Sequence, residues 1–313
     1  MLLEVKNLRI AFRREGHVTV PVRDVSFSVP EHGRVAIVGE SGCGKSLTAL
    51  SLLRLPPTDR AYISGRTAFT GKRISYVFQN PSDSLNPVMR ISAQIREALP
   101  KGMPKSAAEA KAVELLARTG LPDPRRAAHA YPCELSGGQQ QRAMIAMALA
   151  AAPDLLVADE PTTALDVTTQ KQVLELIDSL AAETGMAVLL ITHNLGLVAG
   201  RMDEVNVMYA GQIVESGPVL DVLANPRHPY TRGLLAAVPA LDAPRDAPLA
   251  DIPGTVPPPD QWPAGCAFAP RCAHAVARCR AEMPPVYAVG SVRCACFHDA
   301  ARAVDGKGSL LLE

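Results

Sequence analysis

The residues best suited to chemistry lie in one glycine-rich stretch, Gly39-Glu40-Ser41-Gly42-Cys43-Gly44-Lys45-Ser46. A short apolar run, 35–38, precedes it, and residues 47–55 have the pattern of a helix. Glycines allow backbone N–H groups to turn toward an anion, and a helix N-terminus adds further free amides. In this arrangement Lys45 reaches the β- and γ-phosphates of a nucleotide, and the Ser46 hydroxyl holds Mg²⁺. The stretch therefore predicts a phosphate-binding loop.

A second apolar run, Leu155-Leu156-Val157-Ala158, ends in the carboxylates Asp159 and Glu160. Successive side chains at a strand end point in opposite directions, so Asp159 can face the Mg²⁺ shell while Glu160 faces an attacking water. Positioning, charge stabilisation and general-base help are what phosphoryl transfer needs. Taken alone, such a pair is equally typical of a solvated strand end. Together with a phosphate-binding loop it favours catalysis.

A second serine–glycine stretch is Leu135-Ser136-Gly137-Gly138-Gln139-Gln140-Gln141-Arg142. Serine followed by glycines at the start of a helical segment predicts an N-cap with exposed amides, which is a further potential anion site. One domain already has its phosphate cradle. We therefore expect this second anion site to contact the nucleotide that is bound to the phosphate loop of a neighbouring subunit.

The elements that position these residues follow from the apolar pattern. Uninterrupted apolar runs at 155–158 and 187–192 alternate with helical patterns, which predicts a parallel α/β core. Beyond about residue 225, proline becomes frequent and periodicity fades, which indicates a linker into a loop-rich appendage. The other predicted strands are 2–5, 18–22, 25–29, 35–38 and two within 61–78, and the predicted helices are 47–55, 91–120, 143–152 and 170–183.

The bulk composition limits the class of protein. The chain has 313 residues, 48% of them hydrophobic, and a formal net charge of +1. That charge balance gives no electrostatic footprint for nucleic acid. No apolar run approaches the about 20 residues that span a bilayer, and residues 1–6 lack the features of a signal peptide. We expect a cytosolic chain that reaches membranes only through a partner.

The ordered set of motifs resembles the ATP-binding cassette (ABC) ATPases. The segment 135–139 resembles their signature motif, and Gln79 resembles the Q-loop glutamine. Ala164-Leu165-Asp166 resembles the D-loop, and His193 resembles the switch histidine that contacts the γ-phosphate. Phe12 is the candidate aromatic residue for stacking on adenine. The alternative is that Phe12 is only a half-buried residue of a strand.

This resemblance implies an α/β P-loop NTPase fold, a RecA-like core with an antiparallel β-subdomain and a helical subdomain at about 81–150. It implies a nucleotide-binding domain at 1–235 and a cysteine-rich extension at 236–313. Mg²⁺ would be held by Ser46, Gln79 and Asp159. Ser136 to Gln139 would act in trans on the ATP of a second ATPase subunit, homologous or identical.

A narrower resemblance is to the oligopeptide/dipeptide importers, whose members serve peptides, nickel or glutathione. It is carried by 79–81, 84–87, Tyr131-Pro132 and His228-Pro229-Tyr230-Thr231. It implies two transmembrane permease subunits, an extracytoplasmic solute-binding protein and a peripheral position on the cytoplasmic face of the inner membrane. The segment 69–74 is shorter than in this branch, which predicts a short β-subdomain arm.

The rival class is a soluble ABC ATPase of DNA repair or translation. Such proteins usually insert long coiled coils or join two cassettes. This sequence has one cassette and no heptad run, which favours the interpretation as an importer subunit.

Five of the seven cysteines lie between 266 and 296, which in a reducing compartment predicts metal ligation. Gly265-Cys266-Ala267-Phe268-Ala269-Pro270-Arg271-Cys272 resembles the [4Fe–4S] site of the same importer branch. The resemblance implies Cys266, Cys272, Cys279 and Cys294 as ligands, with Cys296 as a competitor for the fourth place. Zn²⁺ is the alternative metal, and thiols that bind no metal are the third possibility. In the phosphate loop, Cys43 is either a small residue that fits or a thiol of lowered pKa.

Overall fold

The computed structural model describes residues 1–14, 17–55, 58, 60–163, 165–238 and 251–298. It divides into two compact units. The first unit comprises Met1–Val29, Arg34–Phe69 and Ile191–Glu313, and the second comprises Pro30–Gly33 and Thr70–Leu190. The boundary expected at 235 falls inside the first unit, so the C-terminal extension shares a unit with the phosphate loop.

The strands and helices of the described residues follow in chain order. The strands are β1 (Leu3–Arg14), β2 (His17–Val29), β3 (Arg34–Val38), β4 (Ala61–Phe69), β5 (Ile74–Val77), β6 (Leu155–Asp159), β7 (Ala187–Thr192), β8 (Glu204–Tyr209), β9 (Gln212–Pro218), β10 (Tyr287–Val289) and β11 (Val292–Cys294). The helices are α1 (Lys45–Leu52), α2 (Pro81–Ser84), α3 (Ile91–Ala98), α4 (Lys105–Arg118), α5 (Pro124–His129), α6 (Gly137–Ala150), α7 (Val167–Thr184), α8 (Val219–Ala224), α9 (Pro229–Ala236) and α10 (Ala277–Ala281).

The first unit carries the antiparallel β-subdomain expected near the N-terminus. β1 pairs antiparallel with both β2 and β4. β3, which leads into the phosphate loop, pairs in parallel with β8, and β8 pairs antiparallel with β9. The β10–β11 hairpin of the extension joins β9 through Arg293 opposite Ser216 and Cys294 opposite Glu215. The extension is therefore part of this unit's sheet structure rather than a separate appendage.

The second unit contains parallel strands and the helical subdomain. β5 and β6 pair in parallel, with Ile74 opposite Leu155. Every residue of β6 and β7 is buried, as expected for strands covered on both faces. α6 packs against α3 and α4. The region expected at about 81–150 holds α2 to α6.

Several boundaries differ from the sequence expectation. The predicted strands 18–22 and 25–29 are parts of one strand, β2. The predicted helix 91–120 is two helices, because Pro100 and Pro104 interrupt it. Only residues 70–73 separate β4 from β5, in keeping with a short arm. The predicted linker prolines Pro239, Pro244 and Pro248 lie outside the described residues. Among the helices that the structure describes, none is long and apolar enough to cross a membrane.

Candidate functional site

The phosphate loop lies between β3 and α1, as the sequence predicts. Gly42 and Gly44 have φ values of +81° and +104°, a region open to glycine but strained for other residues. A Cβ on Gly39 would lie 2.1 Å from the carbonyl oxygen of Met208. Glycine is therefore required at these positions by backbone geometry.

Lys45 begins α1 and is 5% exposed. Its Nζ donates to the carbonyl oxygens of Gly39 at 2.7 Å and Glu40 at 3.0 Å, so the ammonium group is held across the loop. Ser46 is half-buried at the next position, and Ser41 is exposed. This arrangement combines free helix amides, a cation and a hydroxyl at one helix N-terminus, which suits a nucleotide phosphate with Mg²⁺.

Cys43 is fully buried within this loop. Burial is the main cause that raises the pKa of its thiol, and the nearby Lys45 charge opposes it only in part. The hypothesis of a lowered pKa is therefore wrong. The small-residue interpretation of Cys43 agrees with the structure.

His193 and Phe12 lie in the same unit as the phosphate loop. His193 is exposed and directly follows β7, whose last residue, Thr192, accepts a hydrogen bond from the N–H of Gly39 at 3.3 Å. The backbone thus brings His193 beside the start of the loop. Phe12 is half-buried on β1, and no described contact distinguishes its two interpretations.

The two carboxylates lie at the end of β6 in the second unit, and each has its own partners. Asp159 is 5% exposed, and its Oδ2 accepts a hydrogen bond from the Tyr76 hydroxyl at 2.7 Å. Burial, followed by the Asp159 charge, raises the pKa of Tyr76, so the phenol stays a donor. Tyr76 was not anticipated from the sequence, although it lies on β5, the strand just before Gln79.

Glu160 has a φ of +44°, which is uncommon for a residue other than glycine. Its Oε2 accepts hydrogen bonds from Gln79 Nε2 at 3.3 Å and from Thr163 Oγ1 at 3.1 Å. The structure therefore brings the predicted base and the predicted Q-loop glutamine together. Strained backbone of this kind concentrates at functional sites. Thr163 is a further residue that the sequence reasoning missed.

The signature segment forms the predicted N-cap of α6. The Ser136 Oγ accepts from the N–H of Gln139 at 3.4 Å, and the Gln139 Oε1 accepts from the N–H of Ser136 at 3.0 Å. This reciprocal pair is a capping box. Ser136 and Gly137 are exposed, while a Cβ on Gly138 would lie 3.1 Å from Thr169 Cγ2 on α7.

Asp166 of the predicted D-loop caps α7. Its carboxylate accepts from the N–H groups of Thr168 at 3.1 Å and Thr169 at 3.0 Å, and from the Thr169 hydroxyl at 2.7 Å. The Thr169 hydroxyl bond is the main cause that lowers the pKa of Asp166. Ala164 lies outside the described residues.

The C-terminal residues reach the phosphate loop, which sequence reasoning missed. The N–H of Glu40 donates to the Tyr230 hydroxyl at 2.8 Å, and Arg271 forms an ion pair with the Glu40 carboxylate at 2.6 Å. His228 caps α9 by accepting from the N–H of Tyr230 at 3.1 Å. The His-Pro-Tyr motif therefore places a tyrosine hydroxyl on the loop, and this motif was the signal that could have identified Tyr230.

Four cysteines of the extension line one small cavity: Cys266, Cys272, Cys279 and Cys296. Cys294 does not line it, because it is the last residue of β11 and pairs with Tyr287 of the facing strand. Cys296 lies beyond the strand end. Cys296 therefore lies with the other three cysteines at this cavity, and the preference for Cys294 as the fourth ligand stays a prediction.

The backbone packs tightly beside these cysteines. A Cβ on Gly265 would lie 2.4 Å from the Cys279 carbonyl oxygen, so only glycine fits before Cys266. Within the described residues, no group of three or more His, Cys, Asp or Glu side chains is arranged to hold a metal ion. The four cysteines therefore line the same cavity, but they are not arranged to bind a single metal ion.

The comparisons with known proteins show the family to which the chain belongs. A family model described as ABC transporter matches residues 22–163, and one described as oligopeptide/dipeptide transporter, C-terminal region, matches 214–279. A Brucella melitensis protein named "Putative peptide import ATP-binding protein" is 49% identical over 317 residues, covering 92% of this chain and 94% of its own length. A Brucella abortus protein of the same description is 45% identical, covering 94% of each chain.

A solved dimeric ATP-binding cassette in a post-hydrolysis state, bound to ADP and Pi, superimposes with a TM-score of 0.59 at 26% identity. The match covers 70% of this chain and 99% of that one. The chain belongs to the family of ABC transporter ATPases, and it has their fold and their ATP-hydrolysing class of chemistry. Within that family it groups with the ATP-binding subunits that carry the oligopeptide/dipeptide transporter C-terminal region.

Proposed function

We propose that this chain is the ATP-hydrolysing subunit of an importer for di- or oligopeptides. The observation that carries the proposal is the extent of the similarity to peptide import ATP-binding proteins, 49% identity over 92% of this chain. The C-terminal family match at 214–279 adds support from the region outside the general cassette. Nickel or glutathione transport by the same branch is the alternative for the solute.

We propose the following roles for the site residues, which their hydrogen bonds and the family membership support. Lys45 and the loop amides bind the phosphates, Ser46, Gln79 and Asp159 hold the Mg²⁺ shell, and Glu160 is the general base. A base must lie within hydrogen-bond reach of its water, and the bonds from Gln79 and Thr163 orient the Glu160 carboxylate for that purpose. His193 senses the γ-phosphate, and Phe12 stacks on adenine.

The signature segment, Ser136 to Gln139, and Asp166 of the D-loop act on the ATP of a second cassette. The exposed Ser136 and Gly137 at the start of α6 support this proposal, because a helix N-terminus with free amides is an anion site. The partners are a second ABC ATPase subunit, two permease subunits and an extracytoplasmic solute-binding protein. The complex lies on the cytoplasmic face of the inner membrane, and this chain binds there peripherally.

Reconstitution with the permeases in proteoliposomes tests this function. ATP hydrolysis should rise when the solute-binding protein is loaded with peptide, and Glu160→Gln should bind ATP, stay dimeric with it and lose turnover by about 100-fold or more. Undiminished turnover in Glu160→Gln would remove Glu160 from the base role. Stimulation by nickel or glutathione instead of peptide would show that the imported solute is not a peptide. Purification of the chain with ribosomes or nucleic acid would favour a soluble ABC ATPase of DNA repair or translation.

We further propose that the four cavity cysteines hold a [4Fe–4S] cluster, with Zn²⁺ as the alternative. Four thiolates are a donor set for either, and the spacings lack the paired CxxC motifs of a zinc ribbon. A cluster is larger than a single ion, so its thiols need not converge on one point. Protein purified without oxygen should be brown and contain iron and sulfide, and Cys296→Ser should lose the colour while Cys294→Ser keeps it. A colourless, zinc-containing preparation would reject the cluster.

A further inference from the structure

Arg271 of the extension forms a two-pronged ion pair with Glu40 of the phosphate loop. Its Nη1 lies 2.6 Å from the Glu40 Oε2, and its Nη2 lies 3.0 Å from the Oε1. The Arg271 side chain is 5% exposed, whereas that of Glu40 is 29% exposed. Bidentate guanidinium–carboxylate pairs are among the strongest hydrogen bonds in proteins and fix direction as well as distance.

The remaining donors of Arg271 hold the guanidinium in place. Nε donates to the carbonyl oxygen of Pro253 at 2.8 Å, and Nη2 donates to that of Ile252 at 2.9 Å. Nη1 also approaches the Tyr209 hydroxyl at 3.5 Å. Every nitrogen of the guanidinium therefore has a partner, and the charge is directed at Glu40 by the backbone of the extension itself.

The backbone of Glu40 is held from the same side. Its N–H donates to the hydroxyl of Tyr230, which is fully buried. The Tyr230 ring packs against Tyr209 at 4.6 Å and against Phe268 at 5.5 Å between centroids. Phe268 and Arg271 both lie between Cys266 and Cys272. This short segment therefore binds the Glu40 carboxylate directly through Arg271 and packs through Phe268 on the tyrosine that binds the Glu40 N–H.

The charge of Glu40 matters because of where it lies. Glu40 belongs to the loop whose amides and Lys45 would meet the nucleotide phosphates, and an unpaired carboxylate in this loop would repel their like charge. Its carbonyl oxygen also accepts from Lys45 Nζ at 3.0 Å, so a shift of Glu40 moves an atom that contacts the phosphate-binding lysine. Pairing with Arg271 neutralises the carboxylate and fixes its position.

We propose that Arg271 is a positioning residue for ATP binding, which acts by neutralising and orienting Glu40 in the phosphate loop. This inference rests on the proposed nucleotide function of the loop. It gives the extension a direct part in ATP affinity. If Arg271 only anchors the extension and has no effect on ATP binding, the ATP affinities of the variants should differ from those expected here.

The test measures the dissociation constant for Mg²⁺–ATP and the split between KM and kcat in the full chain. Arg271→Ala should weaken ATP binding and raise KM by about tenfold, with kcat at saturating ATP changed less than about twofold. Arg271→Lys, which keeps the charge but loses the bidentate geometry, should fall between wild type and Arg271→Ala. If Arg271→Ala does not fold, the comparison of Arg271→Lys with wild type is used as the test.

The decisive comparison is Arg271→Ala with and without Glu40→Gln. Removing the unpaired carboxylate should restore ATP affinity to within about threefold of wild type. If Arg271 only anchors the extension, no rescue is expected, because the ion pair is absent in both. Arg293→Ala, which removes a charge from an exposed position of the same extension, is the matched control and should bind ATP like wild type.

Different results separate this inference from the proposed function. Wild-type affinity in Arg271→Ala, or in Arg271→Lys where Arg271→Ala does not fold, with only a lower melting temperature, overturns the inference and leaves the ATPase function standing. Equal losses in Arg271→Ala and the double variant overturn it as well. Failure of the wild-type chain to bind ATP would instead overturn the function on which it rests.

Discussion

Two neighbouring carboxylates, Asp159 and Glu160, have separate hydrogen-bond partners although they are adjacent in sequence. Asp159 is bound by Tyr76, and Glu160 by Gln79 and Thr163. Glu160 has a positive φ at the end of β6, and successive side chains of a strand point in opposite directions. Their proposed division into a Mg²⁺ ligand and a base therefore has a backbone cause.

Tyr76→Phe tests the support of Asp159. Loss of the hydroxyl leaves the carboxylate less well oriented for Mg²⁺, so the Mg²⁺ concentration for half-maximal ATP hydrolysis should rise about 10- to 100-fold, as for a lost hydrogen bond to a charged metal ligand. Activity at saturating Mg²⁺ should stay near wild type. A Mg²⁺ titration measures this, with Tyr62→Phe on the exposed face of β4 as control. An unchanged Mg²⁺ dependence would contradict the role of Tyr76.

Cys43 should resist alkylation in the folded chain. It is buried and the pKa of its thiol is raised by burial, so little reactive thiolate is present near neutral pH. Cys133 is exposed and provides an internal comparison. Mass spectrometry after brief treatment with iodoacetamide should find Cys133 modified and Cys43 intact until the chain is unfolded. Rapid modification of Cys43, prevented by ATP, would instead support a reactive thiol in the loop.

At the scale of elements, the strands β6 and β7 could be predicted from their local pattern, and β9 could not. β6 and β7 are uninterrupted apolar runs because both faces are covered. β9, by contrast, is mostly half-buried and includes Glu215, Ser216 and Gly217, so neither an apolar run nor a clean alternation marks it. It is held by pairing with β8 and β11, contacts that a local pattern does not contain.

The end of α7 depends on Gly185, which has a φ of +71° and donates its N–H to the carbonyl oxygen of Ala181 at 2.9 Å. Gly185→Ala should lower the free energy of unfolding by about 1–2 kcal/mol, because this left-handed conformation is unfavourable for alanine. Gly185→Asn should lower it less, since asparagine tolerates the conformation. Both variants place a Cβ about as close to His32, so urea denaturation isolates the backbone effect. Equal losses would assign the effect to His32.

At the scale of the whole molecule, the nucleotide residues were more predictable from the sequence than the role of the extension. The phosphate loop, the Asp159–Glu160 pair and the capped signature are local patterns, so their spacing is visible in the chain. Arg271 and Glu40 lie 231 positions apart, and only folding brings them together. The choice between Cys294 and Cys296 also depends on long-range structure, because the end of β11 is set by its pairing with β10 and β9.

The proposed division of each ATP site between two subunits leads to a complementation experiment. Lys45→Ala removes the phosphate-binding lysine, and Ser136→Arg places a bulky cation at the start of α6. Each variant alone should be nearly inactive. If two copies of this chain pair, mixing them should restore activity to about a quarter of wild type, because half of the dimers then contain one intact composite site.

That recovery is expected only when the lysine and the signature come from different subunits. In a mixed dimer the loop of the Ser136→Arg copy faces the intact signature of the Lys45→Ala copy. A site that needs no partner's signature predicts instead that Ser136→Arg keeps much of its activity alone and that mixing adds nothing. Steady-state ATP hydrolysis by each variant and by their equimolar mixture measures the difference, and a Lys45→Ala/Ser136→Arg double variant mixed with wild type controls for subunit exchange.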